Sequence, residues 1–155
     1  MAATSTNKQP LLVDRVLHKV VNTDSAAAAA IDIAGTNTAL VLVDAQTSDG
    51  CIIESIYSIA RGTTPHKINV YMSTSNDYLR PNEGIYVGGF AAATTAGDVT
   101  DWEEMPKILA PVAQTGSESQ FRAFYLPKGM TLWVARESNQ VATDGPIVGA
   151  QGGFY

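Results

Sequence analysis

The segment Leu126-Pro127-Lys128-Gly129-Met130-Thr131-Leu132-Trp133-Val134-Ala135 decides the fold class of this chain. Proline presets φ for the second position of a tight turn and Gly129 suits its last position, while β-branched and aromatic residues follow at once. The pattern predicts two strands, Phe121 to Leu126 and Met130 to Arg136, turned back on each other as a hairpin.

Working outward, Lys67 to Ser73 alternates cleanly, with Ile68, Val70 and Met72 on one face and Lys67, Asn69, Tyr71 and Ser73 on the other, the period of a half-buried strand. Thr38 to Val43 is apolar on both faces, as in a central strand. Val13, Val16, Leu17, Val20 and Val21 fit a helical template as well, and so do Ile52, Ile53, Ile56 and Ile59 within Cys51 to Arg61. Their β-branched majority favours strands in both places. Gly84 to Phe90 and Gly145 to Gly149 read as further strands. Ala26 to Ala30 is too short to hold a helix unaided and reads as a helical turn or loop, and Ala91 to Thr100 loosens into small residues. About eight strands joined by Gly, Pro and Ser/Thr turns imply an all-β fold, an antiparallel β-sandwich of jelly-roll type.

At 155 residues one domain is expected. Met1 to Pro10 is polar, small and aperiodic, so residues 1–15 are expected to form an extended N-terminal arm and residues 16–155 a single β-sandwich domain. That polar start is no signal peptide, and no apolar run approaches the roughly 20 residues that span a bilayer, so no membrane partner is expected. Charged residues make up 16% of the chain, against a usual share of about 25%. The net charge is -5 and no Lys or Arg cluster occurs, which argues against nucleic acid as a partner.

Residues that could carry chemistry do not assemble into a motif. His18 and His66 lack a second ligand at metal spacing and read as surface histidines. Cys51 sits against Ile52 and Ile53, with nothing beside it to activate a thiol, and reads as a buried apolar residue. Asp98, Asp101, Glu103 and Glu104 form the one acidic concentration, without the spacing or turning glycine of a calcium loop. No glycine-rich loop opens a helix to hold a phosphate, and no Gly-x-Ser-x-Gly elbow is present. No catalytic residue, metal or cofactor is therefore expected. Trp102, Tyr78 and Tyr86 in or near loops could stack on sugar rings. Phe154 and Tyr155, at a glycine-loosened end, should dock either on this domain or on a neighbouring subunit.

The stretch Thr6-Asn7-Lys8-Gln9-Pro10-Leu11-Leu12-Val13-Asp14-Arg15, the stretch from Leu126 to Trp133 and the ending Gly149-Ala150-Gln151-Gly152-Gly153-Phe154-Tyr155 resemble small virion structural proteins of tailed bacteriophages, in particular those of cyanobacterial phages. They bracket nearly the whole chain. The resemblance implies a non-enzymatic β-sandwich that assembles in symmetric copies, a homotrimer for example, on a particle made in the host cytoplasm. A capsid decoration or cement protein of this kind would bind the major capsid protein. Lys8, Gln9, Pro10, Leu11 and Leu12 would form the docking arm, and Phe154 and Tyr155 would fasten one subunit to the next. A tail, baseplate or fibre-associated adaptor is the alternative virion role, and a module binding host surface glycans is the alternative outside it.

Overall fold

The alternation at residues 67–73 places Ile68 and Val70 in a core shared by two antiparallel sheets. The computed structural model describes residues 14–24, 39–77, 79, 84–103, 105, 123–136 and 144–155. Among them are nine strands and no helix: β1 (Arg15–Asn22), β2 (Leu40–Asp44), β3 (Gly50–Ile59), β4 (Lys67–Ser73), β5 (Ile85–Ala91), β6 (Val99–Asp101), β7 (Phe124–Pro127), β8 (Thr131–Arg136) and β9 (Ile147–Phe154). The sequence-expected arm residues Lys8 to Leu12 and the alanines 26–30 lie outside the described residues.

One sheet runs β1-β9-β3-β6 and the other β2-β8-β4-β5. Since β9 occupies one side of β3 from Cys51 to Ile59, β6 and β7 share the other side, β7 against Gly50–Ile53 and β6 against Tyr57–Ile59. A bulge between Ile53 and Ser55 leaves Ile53 and Ile56 both facing inward. Leu17, Ile53, Ile56, Phe124 and Val148 from this sheet meet Leu42, Ile68, Val70, Leu132 and Val134 from the other. The result is a β-sandwich with one buried apolar layer.

The expected hairpin is corrected. β7 pairs with β3 in the first sheet, whereas β8 lies in the second between β2 and β4. The Pro127–Gly129 turn carries the chain from one sheet to the other. Gly129 takes φ 78° there and its N–H donates to the Ala45 carbonyl at 3.0 Å, while Ala45 N–H donates to the Met130 carbonyl at 3.0 Å. Turn residues specify a chain reversal but not the pairing that follows. Every residue of β8 is buried, and its place between β2 and β4 pairs both of its edges.

Strand β6, in a stretch expected to be loose, is a second correction. Val-Thr-Asp is too short to show a period, and the pairing with β3 makes it a strand. Backbone hydrogen bonds between Ala60 and both Gly97 and Asp98 extend that pairing past the strand end.

Candidate functional site

Inward-facing positions are apolar along most of the sandwich and polar at one end. There β1, β3 and β8 finish and β4 and β9 begin, and alternation carries Ser58 and Arg136 inward, in phase with Ile56 and with Leu132 and Val134. Arg136 is 1% exposed. Its Nη2 donates to the Asp24 carbonyl at 2.7 Å. The Asp24 carboxylate takes an ion pair from Arg61 and a hydrogen bond from the Asn22 amide, and these hold its pKa below the usual carboxylate range, the Arg61 hydrogen bond most of all. Thr23 Oγ1 donates to the Pro146 carbonyl at 2.6 Å, tying the end of β1 to the start of β9.

Across this end, Thr64 donates its hydroxyl to Asp144 Oδ2 at 2.7 Å and is the main cause of a lowered Asp144 pKa. His66 Nε2 stands 3.5 Å from Asp144 Oδ1, an ion-pair distance when the ring is protonated. His66 is 7% exposed, which corrects its reading as a surface histidine. It sits in phase with Ile68 and Val70, so extending the alternation one step past Lys67 would have turned it inward. Among the described residues, Ser58 Oγ and Arg136 Nε and Nη1 are buried without a protein hydrogen-bond partner, while the buried His66 Nε2 and Asp144 Oδ1 face each other. Every one of these atoms belongs to this end of the sandwich.

The outward face of the β1-β9-β3-β6 sheet mixes exposed valines with exposed His18, Gln151 and Asp101. Val16 is 75% exposed, Val20 46% and Val99 60%. Val16 and Val20 stand opposite Gly153 and Gly149, and Val99 opposite Ile59. The glycines lower the floor of this face, and Tyr57 lies over Gly149 with its hydroxyl 3.3 Å from His18 Nε2. Tyr155 borders one end of it. Its backbone pairs with Asp49 and Gly50, its ring centroid is 6.5 Å from that of Tyr125, and it keeps intermediate exposure. Phe154 is packed into the core of its own chain, under the Arg15 guanidinium 4.4 Å from the ring centroid.

Trp102, read from sequence as a possible sugar platform, is 6% exposed and stacks on Phe90 with ring centroids 5.7 Å apart and planes at 16°. That face is used within the fold. A groove of about 670 Å³ beside it is lined by Asp101 and Glu103 as well as Trp102. Tyr86 is 55% exposed and tilts against Tyr71, and Tyr78 lies outside the described residues. Cys51 is fully buried, and that burial pushes its thiol up to about 12. Among the described residues no group of three or more His, Cys, Asp or Glu is placed to hold a metal ion.

Searches against protein families, curated proteins and solved structures find no match to this chain.

Proposed function

We propose that this chain is a non-enzymatic structural protein of a tailed-phage virion. It acts as a capsid decoration or cement protein that binds the assembled major capsid shell as a symmetric oligomer, with a homotrimer as the expected form. The observation that carries this reading is the outward face of the β1-β9-β3-β6 sheet, where exposed Val16 and Val20 stand opposite glycines with the uncharged pair His18 and Gln151 between them and exposed Val99 lies farther across. Apolar sheet faces of this kind suit contact with protein, and a ligand that binds only the assembled shell stabilises it by mass action.

The strand order supports the finer fold reading. Pairs β1 with β9, β2 with β8, β3 with β6 and β7, and β4 with β5 nest inside one another like a single antiparallel ribbon rolled up. That nesting is the pattern of a jelly roll, a fold of viral capsid domains among others. It supports the architecture, and the sequence resemblance supports the virion role.

The test is to label intact particles with an antibody raised against this chain and image them by negative-stain electron microscopy. Label over the head is the expected result. Label at the tail would replace decoration with an adaptor role, and no label on any particle would overturn the virion reading.

A further inference from the structure

We propose that copies of this chain associate head to tail, the β1/β2 side of one sandwich against the β5/β6 side of the next. β1 and β2 end the two sheets on one side, and β6 and β5 end them on the other. Among the described residues no strand pairs with the outer edge of any of these four. A free edge presents unpaired N–H and C=O groups that a strand of another chain can satisfy. Each side also opens as a groove between its two edge strands. One, of about 280 Å³, is lined by Leu17 and Lys19 of β1 and by Val41 and Val43 of β2. The other is the groove of about 670 Å³ beside Trp102, between β5 and β6.

The occupant that fits each side is the opposite side of a second copy. Among the described residues the exposed large hydrophobic side chains are Val16 and Val20 on β1, Ile85 and Tyr86 on β5 and Val99 on β6, all on edge strands. A head-to-tail junction brings those of β1 beside those of β5 and β6 and removes them from water together. Charge is complementary in the same sense. β1 carries Arg15 and Lys19 and no acid, whereas residues 97–103 carry Asp98, Asp101 and Glu103 and no base. The acid of β2, Asp44, already accepts hydrogen bonds from the Gln46 backbone N–H and the Asn76 amide. Joining unlike sides therefore brings opposite charges together, and joining like sides does not. Strand direction agrees as well. Neighbouring strands are antiparallel throughout both sheets, so β1 and β6 run in opposite directions, and so do β2 and β5. A copy in the same orientation continues that alternation, its β1 antiparallel to β6 and its β2 antiparallel to β5. Contact between two different patches is heterologous and repeats into a ring or a filament. The inference rests on the symmetric oligomer of the proposed function and takes nothing from the virion role.

The experiment is sedimentation velocity of the purified full chain and of two variants at exposed positions, Val16→Lys on the β1 side and Val99→Lys on the β6 side, each placing a charge in the junction. The unsubstituted chain is expected to sediment as an oligomer and each variant alone as a monomer. An equal mixture of the two variants should form a dimer, because Val99→Lys keeps its β1 side intact and Val16→Lys keeps its β6 side intact. A monomeric unsubstituted chain, a variant that still associates alone, or a mixture that stays monomeric overturns the proposal. Circular dichroism confirms that each variant is folded, and Ile85→Lys on β5 replaces Val99→Lys if that chain is not. Self-association is read without particles and particle labelling without self-association, so either reading can fail alone.

Discussion

Tyr57 covers Gly149 across the β3–β9 ladder so closely that a methyl group added at residue 149 would overlap the ring. Gly149→Ala should therefore destabilise the fold by about 1–3 kcal/mol through overpacking, read from urea unfolding. In a Tyr57→Ala background the same substitution should cost less, with a coupling of about 0.5–3 kcal/mol for residues in contact. Equal costs in the two backgrounds would show that the ring does not set the requirement for glycine.

The Asp24–Arg61 pair should make stability depend on acid. The folded pKa of Asp24 lies below its ordinary 3.8, so its contribution is complete above that value and disappears as pH falls from there through the folded pKa. Asp144 shifts in the same direction and adds to the effect. Melting temperature against pH should fall less steeply below pH 3.8 in Asp24→Asn than in the unsubstituted chain. Parallel curves would exclude Asp24 as a source of the acid sensitivity.

Cys51, with its thiol pushed up to about 12 and no exposed surface, should not react with iodoacetamide at mildly alkaline pH in the native state. Denaturant should release one reactive thiol per chain, counted by mass spectrometry. Rapid native labelling would mean that β3 opens readily around residue 51.

Trp102 and Trp133 are 6% and 3% exposed, so native fluorescence should be blue-shifted and unresponsive to added glycans. Trp102→Ala should cost about 3–5 kcal/mol, as expected for an aromatic removed from a core. A red-shifted native spectrum, or a near-neutral substitution, would contradict the Phe90 stack.

Asp14 N–H donates to the Phe154 carbonyl at 2.7 Å, and the ladder of β1 begins at the next residue. Deleting residues 1–12 removes none of the described strand pairs. On the virion reading, the shortened chain should melt within a few degrees of the full one yet fail to co-sediment with particles. Undiminished co-sedimentation would sink the docking role of Lys8 to Leu12.

Strand positions were legible wherever apolar residues recur with period two or β-branched residues crowd together. Residues 67–73 coincide with β4, and the isoleucines of 51–61 form β3 although they also fit a helical template. Pairing was less legible, because the partner of β8 is decided by burial of both its faces and by residues far away in sequence. The polar end escaped the sequence reading for the same reason. Arg136, Asp144 and His66 follow no local motif, and only the convergence of five strand ends brings them together. Alternation along β8, and carried one step before β4, would have marked Arg136 and His66 as inward, since each is in phase with core residues two and four positions away.

The place of β9 has a consequence for the order of folding. It separates β1 from β3, so two of the first three described strands have as their common neighbour the last described one. During synthesis the first sheet has no centre until residue 154 has left the ribosome, and its β1 ladder spans nearly the full length of the chain. Such non-local pairing gives high contact order and slow folding. Until then β3 is paired on one side only, by β6 and β7, and a chain stopped before Ile147 would carry β1 with no partner among the described strands.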